Sequence, residues 1–341
     1  MIRTLARSPA TDRPVMIQTD PGPPVPVPED PVIELERVVK RFGRVPVLDG
    51  LSLAVGRGEV HGFLGRNGAG KSTAIRILMG IVAADAGEVR LFGEPLAGRV
   101  VAARRRVGYV AQEQHMYPWM TPRALARFVS GFYPRWDARR WAALLDAFGL
   151  PPGRRLGTFS GGMRAKLALA LALATRPELL ILDEPTAGMD PVARREFLDL
   201  VREETAREGA TVFFSTHLID EIEAIATRIS IVERGRAVHE GPLGPLRASI
   251  AGYSIDAAED VPGSLPGEFA RERLRVLEDG VRLGRRRLVL RYPGPAPAVT
   301  PAMLAPGWRA DALSLEDVFV ALVGGAAAAD GARGRARSAR A

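Results

Sequence analysis

Residues suited to phosphate chemistry cluster in one short stretch, Gly65-Arg66-Asn67-Gly68-Ala69-Gly70-Lys71-Ser72, which fits the pattern G-x-x-x-x-G-K-[ST]. The glycines let the backbone curl tightly and aim a row of N–H groups at one point. A helix that follows adds the positive end of its dipole. The Lys71 ammonium is then placed to reach β- and γ-phosphates, and the Ser72 hydroxyl to ligate Mg²⁺. The flanks agree. Val60 to Leu64 reads as a buried strand before the loop, and Thr73 to Met79 as a helix after it. Of 47 basic residues only Lys40, Lys71 and Lys166 are lysine. A chain that otherwise writes arginine keeps lysine where a compact ammonium is needed.

A second group lies downstream. Leu179-Leu180-Ile181-Leu182 is a continuous apolar run, as in a parallel strand buried on both faces, and it ends in Asp183-Glu184. Beside a phosphate loop, Asp183 is expected to hold Mg²⁺ and Glu184 to polarise an attacking water. The strand Thr211 to Ser215 delivers Thr216-His217. That histidine is either a satisfied loop residue or a hydrogen-bond partner for a γ-phosphate. Gln112 follows the strand Val107 to Val110 at once, with Gln114 two residues on. Ser160-Gly161-Gly162 opens an apolar helix through Ala174 and offers a second anion-binding helix end. Taken alone that signal is weak, since Ser-Gly-Gly is common in loops.

The elements that must carry these groups read as follows. Val32 to Glu36 and Leu51 to Val55 alternate like strands, with Lys40-Arg41-Phe42-Gly43 read as a turn between them. Phe42 either stacks on adenine or enters the core. Gly87 to Phe92 is a further strand, and Ile229 to Val238 reads as a closing hairpin around Glu233-Arg234-Gly235. Thr121-Pro122 is an N-cap and first-turn pair. The stretch from there to Leu150 holds Phe128, Phe132, Tyr133, Trp136, Trp141 and Phe148, with Trp119 just before it. These aromatics are expected to form the core of a small helical subdomain, with a share lining a groove for another protein. Residues 1–31 are a Pro-rich leader and 324–341 a basic Gly/Ala-rich tail, both expected to be disordered.

Composition bounds the class. The chain has 341 residues, is 47% hydrophobic and 25% charged, and carries a net charge of +8. That is an ordinary globular composition with room for a sizeable core. No apolar run approaches membrane-spanning length, and no signal peptide is legible. The absence of cysteine excludes disulfides and Cys-based metal sites. The positive charge is scattered rather than striped, which reads as an arginine bias and not as a nucleic-acid surface.

Taken together, the motifs resemble the ATPase subunit of an ATP-binding cassette (ABC) transporter. In the family's order they are Gly65 to Thr73 (Walker A), Gln112 (Q-loop), Ser160-Gly161-Gly162 (signature), Leu180 to Glu184 (Walker B), Ala187 to Asp190 (D-loop) and His217 (H-loop). The resemblance implies an α/β, P-loop NTPase fold: a parallel-sheet core with an antiparallel β subdomain and a helical subdomain over about 113–157. The cassette is expected over 32–244, with a small α+β accessory segment over 250–323. Two copies, identical or paralogous, would sandwich two ATP molecules with Mg²⁺. Lys71, Ser72 and Thr73 of one copy would bind phosphate and metal, and Ser160, Gly161 and Gly162 of the other would close over the same γ-phosphate. Gln112 would touch metal and water, Glu184 would be the general base, His217 would hold the γ-phosphate, and Asp190 would line the shared site. Departures from the family pattern are Phe159 and Met163 around the signature and Phe42 in place of a stacking tyrosine.

With no span of its own, such a subunit would work at the cytoplasmic face of the membrane beside a separate multi-span permease. The terminal Ser314-Leu315-Glu316-Asp317-Val318-Phe319 start of a helix resembles the end of exporter-type ATPases and points to export. The competing reading is a non-transport cassette protein acting on ribosomes or nucleic acid. A single cassette and the lack of a heptad array between Lys71 and Asp183 weigh against it.

Overall fold

A computed structural model describes residues 28–98, 100–256, 274–282, 284–297, 304 and 307–324. Residues 1–27 of the leader and 325–341 of the tail lie outside the described residues. The chain divides into two compact units, Val25–Glu240 and a second that contains the chain from Gly241.

The first unit holds two sheets. Strands β1 (Pro31–Phe42), β2 (Val45–Gly56), β4 (Ala86–Leu91) and β5 (Glu94–Pro95) form an antiparallel sheet in the order β2-β1-β4-β5. The other sheet takes β3 (Val60–Gly65), β6 (Val107–Val110), β7 (Leu179–Asp183), β8 (Thr211–Thr216), β9 (Arg228–Glu233) and β10 (Arg236–Pro242), in the order β10-β9-β3-β8-β7-β6. The pairs β9-β3, β3-β8, β8-β7 and β7-β6 are all parallel. Every residue of β7 and β8 is buried, as a parallel strand covered on both faces requires. Parallel neighbours need crossovers, and α1 (Lys71–Leu78), α2 (Val100–Arg104), α3 (Pro122–Ser130), α4 (Ala138–Ala147), α5 (Gly161–Ala174), α6 (Pro191–Glu208) and α7 (Ile219–Ile225) lie along the connections of this unit.

Local chemistry sets the helix ends. Thr121 Oγ1 accepts from Ala124 N, and Asp137 Oδ1 from Arg140 N, so α3 and α4 each begin on a side-chain cap. Between these helices the aromatics divide. Trp141 and Phe148 are buried, whereas Tyr117, Trp119, Phe128 and Phe132 are exposed and touch one another, ring centroids lying 5.1 Å apart for Tyr117–Trp119 and 5.4 Å for Phe128–Phe132.

The first hairpin differs from the sequence reading. Alternation breaks at Glu36-Arg37, yet β1 continues to Phe42, because a bulge with Arg37 at φ 48° resets the register and Ser52 Oγ accepts from Arg37 N. Phe42 is therefore the last residue of a strand, not part of a turn.

In the second unit, α8 (Leu243–Ala248) precedes β11 (Ile250–Asp256), β12 (Arg275–Arg282), β13 (Arg285–Arg291) and β14 (Arg309–Asp311). These strands form an antiparallel sheet in the order β12-β13-β11-β14. Its core includes Tyr253, Ile255, Leu288, Leu290 and Trp308. A helix over 315–324 starts on a reciprocal cap, in which Asp317 Oδ2 accepts from Ser314 N and Ser314 Oγ accepts from Asp317 N.

One turn ties the first unit's periphery to the phosphate loop. Gly235, at φ 75°, donates its N–H to Ala69 O, and a Cβ there would lie 2.3 Å from Val47 O. Gly235→Ala is expected to destabilise the protein by at least about 1–3 kcal/mol through strain and overlap, read as a lower urea midpoint at constant m.

Candidate active site

The loops that leave β3, β6, β7 and β8 emerge from the carboxyl ends of neighbouring parallel strands. This is where an open α/β sheet presents a ligand crevice. The register then fixes contacts. Asp183 lies opposite Ser215, and Leu64 opposite Thr216.

The phosphate loop runs from Gly65 to the first turn of α1. Gly68 and Gly70 have φ of 80° and 106°, backbone that an L side chain rarely adopts. At Gly70 a Cβ would also meet Leu48 Cδ2 at 2.7 Å, so glycine is required on two counts. Arg66, Asn67, Gly68 and Ala69, with His217 and Glu233, border a cavity of about 490 Å³. Lys71 is buried, and its Nζ donates back to Gly65 O (2.8 Å) and Arg66 O (3.3 Å).

Glu184 is the point where the groups meet. Lys71 Nζ lies 3.0 Å from its Oε1, and Gln112 Nε2 and His217 Nδ1 lie 3.4 and 3.2 Å from its Oε2. The backbone of Glu184 is at φ 43°, a strained conformation for a residue with a side chain. Two acceptors on the opposite strand hold it there, Ser215 O and Ser215 Oγ, each 3.1 Å from Glu184 N. Ser215 Oγ in turn donates to Asp183 Oδ1 at 2.7 Å, and Ser72 Oγ donates to the same oxygen at 3.1 Å. Burial pushes the Asp183 carboxyl above its usual range and the Glu184 charge adds to this, while the Ser215 and Ser72 hydroxyls pull it back.

Other expected residues sit apart from this convergence. Gln112 faces Glu184, whereas Gln114 Nε2 donates to Ala111 O and Gln112 O and shapes the loop, which separates the two candidates for the Q-loop. Ser160 caps α5, its Oγ accepting from Met163 N at 3.2 Å, and Ser160 and Gly161 are exposed. Phe159 beside them is buried and anchors this helix start. The Asp190 carboxylate caps α6 by accepting from Val192 N and Ala193 N, and these bonds, the Ala193 one foremost, hold its carboxyl below the usual range. Phe42 is 50% exposed, which rules out a core role, and the Lys40 ammonium sits 5.5 Å from its ring centroid.

Sequence reasoning passed over Ser215 and Glu221. In the sequence Ser215 is simply the end of a strand. Its place opposite Asp183 comes from register, which no local pattern encodes. Glu221 accepts from both Thr186 and Thr216, and its position four residues after His217 was the one available signal.

A glycine loop feeding a helix, a strand-end carboxylate pair and a strand-end histidine define a phosphate-loop nucleotide hydrolase of the cassette type. Comparison with known proteins carries this further. The ABC transporter family profile matches residues 48–187. The Nod factor export ATP-binding protein I of Burkholderia orbicola (strain AU 1054) is 35% identical over 299 residues, covering 86% of this chain and 97% of that one. The daunorubicin resistance ATP-binding protein DrrA3 of Streptomyces coeruleorubidus is 38% identical over 247 residues, 71% of this chain and 78% of that one. A solved ATP binding subunit of an ABC transporter superposes with a TM-score of 0.58 at 28% identity, covering 63% of this chain and 92% of that chain. The chain belongs to the ABC transporter family, as one of its ATP-binding, ATP-hydrolysing subunits.

The Ser215 hydroxyl is buried and bonded on both sides. Ser215→Ala is expected to cost about 1–3 kcal/mol, measured by urea denaturation, because Asp183 loses a donor that water cannot replace.

Proposed function

We propose that this chain is the motor of an exporter. On this reading it lies at the cytoplasmic face of the membrane, beside a separate multi-span permease and a second ATPase subunit. The observation that carries the motor reading is the convergence of Lys71, Gln112 and His217 on Glu184, beside the Ser72–Asp183 pair. Export is supported by the names of the two relatives, one a Nod factor export protein and the other a daunorubicin resistance protein. The cassette then spans about 32–244 and the accessory segment about 250–323.

In this proposal the γ-phosphate of ATP takes the Lys71 ammonium from Glu184, and the loop N–H groups of 65–70 with Ser72 and Thr73 hold the phosphates. Freed from Lys71, the Glu184 carboxylate accepts a proton from the attacking water, while His217 and Gln112 orient the γ-phosphate and that water. Ser72 Oγ and Asp183 Oδ1 are hard oxygen donors 3.1 Å apart, a set that suits Mg²⁺, with Gln112 as a further oxygen donor. Mg²⁺ bound there would neutralise charge on the β- and γ-phosphate oxygens. The exposed start of α5 gives Ser160, Gly161 and Gly162 to the ATP held by the facing copy. Asp190 joins the shared face, and Phe42 covers the adenine. Among the described residues no helix is long and apolar enough to cross a membrane, so the pore is assigned to the permease.

The exposed aromatics Tyr117, Trp119, Phe128 and Phe132 follow the loop of Gln112 in sequence. We assign them to the permease contact, because aromatic anchors carry most of the energy of protein interfaces.

Lys71→Ala is expected to weaken ATP binding about tenfold to a hundredfold by fluorescence titration. Glu184→Gln should leave binding intact and lower kcat about 10²–10⁴-fold. Near-normal hydrolysis by that variant would remove Glu184 from the base role. Trp119→Ala with Phe128→Ala should keep basal ATPase activity and lose co-purification with a membrane subunit from native membranes.

A further inference from the structure

Glu184 and Asp190 share the connection between β7 and α6, His217 follows β8, and one buried side chain touches both stretches. Glu221, on α7, is 1% exposed. Its Oε1 accepts from Thr186 Oγ1, two residues beyond Glu184. Its Oε2 accepts from Thr216 Oγ1, the residue before His217. Arg194 Nε, one turn into α6 from the Asp190 cap, lies 3.5 Å from Oε1. Thr186 and Thr216 are themselves 2% exposed.

The hydroxyls have little freedom. Thr216 Oγ1 already accepts from Leu218 N at 3.0 Å, so its proton is directed at Glu221. Thr186 O accepts from Met189 N and Glu184 O from Ala187 N, which locks the turn that follows Glu184. A buried carboxylate is costly unless it is hydrogen-bonded and paired, and here two hydroxyls donate to it while the Arg194 guanidinium stands at ion-pair distance. Such a charge holds its donors in one geometry.

We propose that Glu221 is a positioning residue for hydrolysis. It clamps the turn after Glu184 to the strand end before His217, and so sets the separation of the two groups that flank the γ-phosphate. The proposal rests on the roles given above to Glu184 and His217. In this role Glu221 acts through Thr186 and Thr216 and not on nucleotide or metal directly. Its removal is expected to leave nucleotide binding to the phosphate loop unchanged while misplacing the base and the histidine. Misplacement by about 1 Å is enough to lower turnover strongly.

The test is Glu221→Gln, which keeps the size of the side chain but puts an NH₂ group where one hydroxyl must donate. Thr216→Val removes the same bond from the other side. Steady-state kinetics, ATP titration and thermal melting are run on both, alone and in a His217→Ala background. We expect kcat to fall at least about tenfold, with KM and the ATP Kd within about twofold of the unaltered protein. In the His217→Ala background the further loss should be smaller, because the part that acts through His217 is already gone. Unchanged kcat in both variants overturns the proposal. So does a parallel loss of ATP affinity, melting temperature and kcat, which would mark Glu221 as a packing element. If His217→Ala alone hydrolyses ATP at the normal rate, the reading of the site has failed. If His217→Ala loses turnover and Glu221→Gln does not, only the clamp has failed.

Discussion

The site depends on one constraint, the left-handed backbone of Glu184. At φ 43° the chain turns sharply as it leaves β7 and swings the carboxylate back over the sheet edge toward Lys71. Such a conformation costs about 1–3 kcal/mol in a non-glycine residue and persists only where neighbours over-determine it. Ser215 does so by accepting from Glu184 N with two atoms, and parallel pairing of β7 with β8 brings Ser215 there. The strained residue, the buried strand beneath it and the next strand's serine therefore form one device. A sheet that slipped by a single residue would turn Ser215 to the other face and release the strain.

The same geometry explains why Lys71 and Glu184 are paired. A buried ammonium needs a counter-charge, and the nearest carboxylate supplies it. Three donor-bearing side chains face a single carboxylate, so the pocket is electrostatically prepared for a multiply charged anion. A triphosphate would offer Lys71 more negative charge than Glu184 does, and in the proposed binding mode one ion pair would be traded for another rather than a desolvated lysine created. On the proposed roles, base and phosphate would compete for the same cation, which would couple arrival of the nucleotide to release of the base.

How much of this could be read in the sequence follows from the range of each interaction. The phosphate loop, the apolar strand ending in Asp183-Glu184 and the cap at Ser160 were legible because each is encoded within ten residues or so. The apolar run of β7 read as a parallel strand by itself, while the parallel core as a whole was what the family resemblance implied. The extent of β1 was not legible, since the bulge at Arg37 breaks the alternation that marks a strand, and pairing with β2 resumes only beyond it, at Val38 opposite Leu51. Three strands of the second unit also escaped. Gly252 and Ser254 in β11, Asp279 and Gly280 in β12, and the brevity of β14 leave no clean period of two. The division of the aromatics into buried Trp141 and Phe148 and exposed Trp119, Phe128 and Phe132 is likewise tertiary information.

Charge adds a last step. In a chain so rich in arginine, Lys71 and Lys40 each pair with a carboxylate at a largely buried position. Lys71 donates into the curl of its own loop, to Gly65 O and Arg66 O, while still reaching Glu184, a geometry that suits a small tetrahedral donor set. Lys40 is largely buried between the Asp85 carboxylate and the ring of Phe42. Asp85 also accepts from Arg41 N, so the end of β1 is pinned to the loop before β4. This holds Phe42 at a fixed place on the surface, which an aromatic intended for stacking requires. The bland and the functional explanations of that aromatic therefore separate on burial. A ring half exposed and backed by an ammonium lies outside the core and is free to meet a ligand, as the proposed adenine contact requires.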